Sequence, residues 1–478
     1  MNPPDHPSNL PARLPLRSDD LFGTLGAAET VRLETRYGNG DLIRVQEALG
    51  ITGPFEVVTP WELRAPDGRH LINAGGYAAL PFGEHYEPLV AFVERYLREN
   101  RSMSLPQQSA SAWRAALETN LVALLTRHAP SHADSQVFFS NSGAEAVETA
   151  LKLVRAARSG SPLTVNFARG YHGKTLGALS LTPNEEYQAI FRPLLGDVLT
   201  LPYGDAQALT DALSRQGNAV GAVFVEPVQG EGGVVTPPPE FLPALGELAQ
   251  KYGFLVVADE IQTGLGRCGY DFASVALGLE PDIITLAKPL GGGLVPIGAT
   301  LARRAVMQRM LGGLASKRHS NTFGGGSLAM AVGLKSLELI EDEGLTARSQ
   351  RLGQVGLERL EGLAAAYPNY FQEVRGAGML FALQLRSVVP KVGFGAELSA
   401  QLGSALALRT LHLAGIHACY TQNASRTVRL TPALNMPEPV FDELFRRLEH
   451  AAKQPQASQL LRTPPATLAK LARLALRG

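Results

Sequence analysis

The chain has 478 residues, of which 45% are hydrophobic and 18% are charged. Basic and acidic residues number 44 each, so the basic field that binds nucleic acid is not expected. Two cysteines are too few for a disulfide framework. Pro130 breaks the helix that His128 and His132 would need to share an ion, so no metal site is predicted.

The chain lacks the features of a membrane or secreted protein. No run of about 18 apolar residues occurs, and the N-terminus has neither the basic nor the apolar segment of a signal peptide. We therefore expect a cytoplasmic protein that does not bind membranes. The length allows two or three domains with a large core.

The N-terminal region is predicted in two parts. Residues 1–28 are expected to form a flexible arm, because five prolines fall within the first 18 positions. Residues 29–80 alternate short periodic segments with turn signals and are assigned to a small domain. A helix is predicted at 88–99, where apolar residues lie on one stripe.

Residues 81–335 alternate short apolar strands with helices, which predicts an α/β domain around a mostly parallel sheet. The predicted helices include 144–157, 240–252 and 327–343. Seven strands are predicted, at 136–139, 163–167, 198–201, 222–225, 254–258, 283–286 and 297–301. Ligands of such sheets bind at the carboxyl ends of the strands.

The pattern changes in residues 336–455. Strands are predicted at 374–383, with a glycine-bent entry, and at 427–430, and a helix near 437–453. This region is assigned to a smaller α+β domain shared with the N-terminal segment. The tail, 456–478, has regularly spaced leucines, and its helix is predicted to dock on the parent fold or a partner subunit rather than on a membrane.

Two residues indicate chemistry at one edge of the sheet. Lys288 ends an apolar run before a glycine-rich turn, where its amine could form a Schiff base with a carbonyl compound. Asp259 ends another apolar strand and needs a cationic partner there, such as a protonated pyridine nitrogen. A surface lysine and a helix N-cap are the respective alternatives. The two residues are 29 positions apart, which leaves room for one helix and one strand and brings both to the same edge.

Ser142, Gly143 and Ala144 follow a predicted strand and begin a helix. Amides at a helix start, flanked by small residues, can bind a phosphate. A simple capping box with Glu145 is the alternative. Together with the segments of the aspartate and the lysine described above, this helix start suggests a pyridoxal phosphate site.

Three further residues are candidates for the same site. Tyr171 and His172 lie in a tight glycine turn, where a ring could stack on a planar cofactor; a core tyrosine is the alternative. Arg429 is a lone arginine in an apolar strand. It could clamp a substrate carboxylate or form a structural salt bridge.

Six segments occur in a fixed order: Phe-Ser-Asn-Ser-Gly-Ala-Glu at 139–145, Tyr-His-Gly-Lys-Thr at 171–175, Glu-Pro-Val-Gln-Gly-Glu-Gly-Gly at 226–233, Asp-Glu-Ile-Gln-Thr-Gly-Leu-Gly-Arg at 259–267, Lys288 with its glycines, and Thr-Phe-Gly-Gly at 322–325. Over roughly residues 65–445 the chain thereby resembles the class III, or omega, aminotransferases of the fold type I pyridoxal phosphate enzymes. Its segments at 171–180, 230–239 and 296–300 are most similar to those of putrescine (diamine) aminotransferases.

The resemblance implies the cofactor pyridoxal 5′-phosphate and a homodimer, or a tetramer built from it. Lys288 would be the Schiff-base lysine, and its freed amine would move the proton during catalysis. Ser142, Gly143 and Ala144 would hold the phosphate, together with the partner subunit's Thr322.

The resemblance also assigns residues around the cofactor ring. Tyr171 would stack on the pyridine, Asp259 would pair with its nitrogen, and Gln262 would touch its phenolic oxygen. Glu226 and His172 would lie beside the ring in supporting roles.

Two residues are implied in substrate binding. Glu231 would pair with Arg429, and the pair would open for 2-oxoglutarate and close for an amine without an α-carboxylate. Two departures from the family pattern stand nearby. Pro289 follows the lysine where the family usually has a small residue, and Lys174 replaces an arginine that many relatives carry.

The expected reaction is amino transfer from an ω-amine, diamine or ω-amino acid to 2-oxoglutarate. A pyridoxal phosphate-dependent racemase or aminomutase is the alternative, because it would share the cofactor residues. A non-catalytic nucleotide-binding protein has little support, because no Gly-x-Gly-x-x-Gly motif opens a helix after a strand.

Overall fold

A computed structural model describes residues 25–99, 101, 105–106, 108–386, 396–424 and 426–454, with the single positions 16, 18 and 21. For residues 396–404 it describes the backbone alone. The described residues divide into two units, one of residues 25–56 with 64–69 and one of residues 57–63 with 70–454. Every candidate site residue belongs to the second unit.

The strands of the described residues form three sheets. In chain order they are β1 Glu56–Thr59, β2 Glu62–Arg64, β3 His70–Asn73, β4 Gln136–Ser140, β5 Leu163–Phe167, β6 Val198–Leu201, β7 Val220–Val225, β8 Leu255–Asp259, β9 Ile283–Leu286, β10 Gly298–Ala302, β11 Phe371–Ala377, β12 Leu380–Leu385, β13 Ile416–His417, β14 Cys419–Tyr420 and β15 Thr427–Leu430.

The largest sheet has seven strands in the order β4-β10-β9-β8-β7-β5-β6. β10 runs antiparallel to both of its neighbours, whereas the strands from β9 to β6 pair in parallel. The predicted mostly parallel, seven-stranded sheet is therefore confirmed. Each predicted strand is present, and its limits differ by at most two residues.

The described helices lie before, between and after these strands along the chain. They are Ala27–Tyr37, Gly40–Leu49, Glu87–Arg98, Ala112–His128, Gly143–Ala157, Leu176–Ser180, Glu185–Gln188, Ala206–Gln216, Phe241–Tyr252, Ala273–Ala276, Arg304–Leu311, Ser327–Asp342, Leu345–Ala366, Ala396–Leu413 and Glu438–Lys453. The four helices predicted up to residue 343 are present, with limits that differ by one residue.

Both faces of the large sheet are buried, and each face packs into its own apolar core. In β7, Phe224 belongs to a core with helices Gly143–Ala157 and Arg304–Leu311. Its neighbour Val223 points the other way, into a core with helices Ala206–Gln216 and Phe241–Tyr252. This two-sided burial explains why the central strands are continuous apolar runs rather than alternating ones.

Two smaller sheets complete the α+β part of the fold. One has the order β11-β12-β15-β14 and is antiparallel. The other has the order β1-β2-β3-β13, and in it Ile416 lies opposite Ile72 in a parallel pair. This pairing joins the N-terminal strands to the C-terminal region, as the prediction of a smaller domain from both chain ends requires.

The single strand predicted at 374–383 is wrong, because the segment forms the hairpin of β11 and β12. Gly378 turns the chain between them with a φ of +53°, and a Cβ atom there would lie 2.4 Å from the backbone of Cys268. Glycine at this position therefore allows both the turn and the close packing beneath it.

The predicted domain limits stay predictions. Residues 27 and 28 of the predicted arm begin the helix Ala27–Tyr37. The rest of that arm, apart from 16, 18, 21, 25 and 26, and the tail 456–478 lie outside the described residues. Among the helices that are described, none is both long and apolar enough to cross a membrane.

Candidate active site

A cavity of about 480 Å³ lies at the carboxyl ends of the parallel strands. Glu226 follows β7 directly, Asp259 is the last residue of β8, and Lys288 follows β9 by two residues. Ten of the twelve predicted site residues line this cavity, namely Ser142, Gly143, Ala144, Tyr171, His172, Glu226, Glu231, Asp259, Gln262 and Lys288. The sheet topology thus brings together side chains that lie up to 146 positions apart in the sequence.

Lys288 begins a short 3-10 helix, Lys288–Gly291, at the rim of the sheet. Burial lowers the pKa of its amine, although the charge of Glu231 acts in the opposite direction. The buried Pro289 occupies the start of this turn, where its fixed φ suits a helical entry and its missing N–H breaks no helical bond. Proline therefore stiffens the turn and leaves the amine in the cavity.

Asp259 and His172 form a buried pair on the floor of the cavity. Their side chains are 4% and 2% exposed, and His172 Nδ1 lies 2.7 Å from Asp259 Oδ2. Asp259 Oδ1 accepts bonds from the Ile261 amide and the Thr285 hydroxyl, each at 3.2 Å. Burial lowers the pKa of His172, but the hydrogen bond and charge of Asp259 outweigh it, so the net shift is upward.

The helix Gly143–Ala157 starts at the cavity and is capped by Ser142, while Glu145 reaches back to the residue before the cap. Ser142 Oγ accepts a bond from the Glu145 amide at 3.2 Å, and Glu145 Oε2 accepts one from the Asn141 amide at 2.6 Å. A Cβ atom on Gly143 would lie 2.9 Å from Ile261, so glycine keeps this start open. The predicted cap by Ser142 is therefore present. The anion site stays a prediction, and the cap is compatible with it because the first helical amides have no partner within the helix.

Glu226 is held by the turn that carries Tyr171. Its Oε1 accepts a bond from the Tyr171 amide at 2.8 Å, and its Oε2 accepts one from the Gly230 amide at 3.1 Å. Burial raises the pKa of Glu226 to about 7, although the nearby His172 opposes the shift. The carboxyl group is thus poised to change its charge near neutral pH.

Arg429 lies in β15 behind the cavity, fully buried, and does not line it. Its Nη1 donates to Glu231 Oε1 at 2.5 Å and to Gln262 Oε1 at 2.9 Å. The predicted partnership of Glu231 and Arg429 is therefore present in its closed form. Gln262 Nε2 is buried and has no hydrogen-bond partner among the described residues.

Thr322 is the second predicted site residue that does not line the cavity. It is exposed, in a bend before the turn at 324–325, and the cavity lining does not include it. Asn321, its neighbour, fixes this bend by donating from Nδ2 to the Phe139 carbonyl at 3.1 Å. An exposed position is what a contribution to a second copy of the chain would need, so the assignment stays a prediction.

The sequence reading missed three residues next to the Glu231–Arg429 pair. The backbone N–H of Gln422 donates to Glu231 Oε2 at 2.9 Å, and the Tyr187 hydroxyl donates to the side-chain Oε1 of Gln422 at 3.0 Å. Tyr77 is 5.8 Å from the Arg429 guanidinium, measured to the ring centroid. Gln422 and Tyr187 follow no local pattern, whereas the two glycines before Tyr77 could have signalled the left-handed turn on which it sits, with a φ of +53°.

The residues around the cavity fit pyridoxal 5′-phosphate group by group. The open helix start at Gly143 suits the phosphate, and the Asp259 carboxylate suits a protonated ring nitrogen. The unpaired Gln262 Nε2 suits the phenolic oxygen, and the Lys288 amine suits the aldehyde. No group of three or more histidine, cysteine or acidic residues is arranged to hold a metal ion within the described ranges.

Comparison with known proteins gives consistent results. The family model for class-III aminotransferases matches residues 62–452. Aminotransferase PigE of Serratia sp. (strain ATCC 39006) is 38% identical over 338 residues, which cover 69% of this chain but only 38% of PigE. The chain therefore spans well under half of that relative's length.

Solved structures with the same fold are also known. The ornithine aminotransferase of Toxoplasma gondii ME49 is 25% identical, with a TM-score of 0.76 over 91% of this chain and 96% of that one. An amine transaminase of an uncultivated Pseudomonas species, in its PLP-bound form, is 26% identical, with a TM-score of 0.72 over 83% and 94%. Since the family match covers most of its length, this chain belongs to the class-III aminotransferases, fold type I transaminases whose cofactor is pyridoxal 5′-phosphate.

Proposed function

We propose that the protein transfers an amino group from an ω-amine, a diamine or an ω-amino acid of the putrescine type to 2-oxoglutarate. One observation carries the proposal: a buried guanidinium, that of Arg429, is paired at 2.5 Å with a carboxylate that lines the cavity, that of Glu231. A site used by α-amino acids alone would be expected to keep such a guanidinium free for the substrate carboxylate.

The cofactor, when bound, supplies an aldehyde that accepts the amino group and a ring that withdraws electrons from the reacting carbon. Asp259 would keep a proton at the ring nitrogen, and His172 orients Asp259 through Oδ2. Lys288, whose pKa burial lowers, would take the proton from the donor's reacting carbon at Nζ and pass it, on the same side, to the cofactor carbon that carried the aldehyde. Tyr171 and the turn around it cover one side of the cavity.

The pair of Glu231 and Arg429 supports two substrates in one cavity. While it is closed, the positive charge of Arg429 is compensated, and a donor without an α-carboxylate meets no unpaired cation. When it opens, the guanidinium can bind the carboxylate of a 2-oxo acid in two parallel hydrogen bonds. Alternation of the two states would follow the alternation of the two half-reactions.

The direct test is a donor panel. Putrescine, cadaverine, 4-aminobutyrate, ornithine and lysine are each incubated with the protein, pyridoxal phosphate and 2-oxoglutarate, and glutamate is measured. We expect glutamate with at least one donor and faster formation with donors that lack an α-carboxylate. Absence of glutamate with every donor would overturn the proposal.

The same assay separates a transaminase from a racemase or aminomutase. A transaminase needs a 2-oxo acid for turnover and, with donor alone, stops after one amino group per site. Continuous conversion of a chiral donor without any oxo acid would instead favour the isomerase alternative.

The role of the carboxylate can be tested with Glu231→Ala. Removal of the counter-charge leaves Arg429 a buried, unpaired cation, which an amine donor would meet and an α-carboxylate would neutralise. We expect kcat/KM for putrescine relative to that for glutamate to fall by about tenfold. Glu247→Ala, on the exposed side of helix Phe241–Tyr252, should keep the wild-type ratio. An unchanged ratio in both variants would contradict the proposed opening and closing of the Glu231–Arg429 pair.

A further inference from the structure

Glu231 is held on three sides, and only one of them is Arg429. Its Oε2 accepts a bond from the Gln422 amide at 2.9 Å, and its backbone carbonyl accepts one from the Asn423 amide at 3.0 Å. The carboxylate is buried, so a movement away from the guanidinium must find new partners or carry the 422–423 segment with it. That segment therefore helps to decide when the pair opens.

The side chain of Gln422 is fixed on the opposite side from Glu231. Its Oε1 accepts bonds from Lys174 Nζ at 2.9 Å and from the Tyr187 hydroxyl at 3.0 Å, and its carbonyl accepts a second contact from that hydroxyl at 3.2 Å. Gln422 thus contacts the Glu231 carboxylate through its backbone N–H and Lys174 through its side-chain oxygen.

Lys174 lines the cavity, and its side chain is exposed to solvent. Its Nζ lies 3.8 Å from the ring centroid of Tyr187, so its two nearest partners, the ring and the amide oxygen of Gln422, are both neutral. The lysine forms no ion pair within the described residues. A carboxylate that entered the cavity would offer this ammonium a charge-assisted bond, roughly twice as strong as one to a neutral acceptor.

We propose that Gln422 links Lys174 to Glu231, so that a second carboxylate on the acceptor opens the Glu231–Arg429 pair. The distal carboxylate of a dicarboxylic 2-oxo acid draws Lys174 away from Gln422. The 422–423 segment then loses its charged contact and keeps only neutral ones, among them the bonds from Tyr187 and the bond from Asn423 to the Gly170 carbonyl. Its amides support Glu231 less firmly, and Arg429 is freed for the other carboxylate. This inference rests on the proposed function, and it makes Gln422 a positioning residue that sets acceptor specificity.

The kinetic test compares 2-oxoglutarate with pyruvate, which has one carboxylate, at a fixed donor. In the variant Gln422→Met the segment has already lost the side-chain bonds of Gln422 to Lys174 and Tyr187. The kcat/KM for pyruvate should therefore rise, and the ratio of kcat/KM for 2-oxoglutarate to that for pyruvate should fall by about tenfold. A lysine that merely binds the distal carboxylate predicts the opposite, because loss of the Gln422 acceptor would free it. An unchanged or higher ratio overturns the proposal.

Lys174→Met should lower the same ratio. The double variant Lys174→Met/Gln422→Met should lower it no further than the larger single effect, because both residues belong to the same series of contacts. Lys251→Met is the matched control, because Lys251 also lies over a tyrosine ring, that of Tyr252, but away from the cavity. It should keep the wild-type ratio. Additive effects of the two substitutions would show that they act separately.

A second measurement does not depend on turnover. Hydrogen exchange at the 419–424 backbone is followed in the holoprotein with glutarate or with pentanoate, which have five carbons and two or one carboxylates. We expect glutarate alone to speed exchange at the Gln422 amide; equal rates with both acids would contradict the link. This readout remains available if no amino transfer is found, so failure of the proposed function and failure of the link are distinguishable.

Discussion

At the scale of single residues, the site consists of charged groups that the fold buries in contact with one another. Asp259 has His172 as its partner, and Arg429 has Glu231. Lys288 has neither an ion pair nor a hydrogen bond among the described residues, and burial lowers the pKa of its amine. A half-buried amine without a partner is the group best suited to react, because no ion pair or hydrogen bond has to be broken first.

The first prediction concerns this lysine. Lys288→Ala should lower the rate of amino transfer by roughly 10³-fold, because the proton carrier is removed. It should also abolish the attachment of the cofactor to the chain by borohydride, which mass spectrometry of the digest detects. Lys251→Ala should change neither result; retained attachment in Lys288→Ala would assign the reactive amine to another lysine.

The second prediction concerns the buried carboxyl of Glu226, whose pKa burial raises to about 7. A raised pKa means that the folded state binds the proton more tightly, so this stabilisation is complete below pH 4.5 and is lost as the pH rises through 7. Glu226→Gln cannot titrate. Between pH 5 and pH 8 the wild-type protein should therefore lose up to roughly 3 kcal/mol more unfolding free energy than the variant.

Denaturant unfolding of both proteins at the two pH values measures this difference. Glu361→Gln, on the exposed side of helix Leu345–Ala366, should follow the wild type, because its side chain is in water. Parallel pH profiles for wild type and Glu226→Gln would contradict the assignment of a raised pKa to this carboxyl.

At the scale of elements, the junctions between strand and helix place the chemistry. A phosphate can approach the start of helix Gly143–Ala157 because the neighbouring turn has a glycine, Gly173, in place of a larger residue. Gly173, with a φ of +123°, packs so closely that a Cβ atom there would lie 2.8 Å from the Cβ of Ala144. Any side chain at this position must push the helix start out of place.

Gly173→Ala should therefore weaken cofactor binding by at least about tenfold, through both the strained φ and the displaced helix start. Titration of the cofactor-free protein with pyridoxal phosphate, followed by absorbance, measures the affinity. Gly160→Ala is the matched control, because no atom lies within 4 Å of the added Cβ. Equal affinities for the two variants would show that the phosphate lies elsewhere.

At the scale of the whole molecule, the family resemblance implies that one copy of the chain holds an incomplete site. Thr322 is exposed and outside the cavity, which agrees with the expectation that a partner subunit supplies it. In a two-fold symmetric dimer each subunit would then complete the other's site. The dimer itself remains a prediction.

Complementation tests this arrangement. Lys288→Ala lacks the amine, and Thr322→Glu would place a negative charge beside the phosphate, so each variant alone should be inactive or nearly so. A dimer with one subunit of each kind has both defects in one site and none in the other. Random pairing should thus restore roughly a quarter of the wild-type activity. No recovery would place Thr322 within its own subunit's site, whereas full activity of Thr322→Glu alone would place it outside any site.

The sequence by itself determined the large sheet and the residues at its edge. Strand identity follows from local apolar runs, and the order of strand and helix fixes which strand ends carry Asp259 and Lys288, because parallel strands end at one edge. The sequence also anticipated that Arg429 would bind a carboxylate, but it left open whether the partner was structural or substrate.

Only the tertiary structure decided the surroundings of that arginine. Gln422, Tyr187 and Lys174 come from three separate segments, and their contacts depend on side-chain directions that no spacing records. The hairpin at Gly378 was missed for the same reason, because glycine is required there by the close approach of the Cys268 backbone, which is distant in sequence. Local patterns fix where strands end, whereas contacts between distant segments fix which charges meet there.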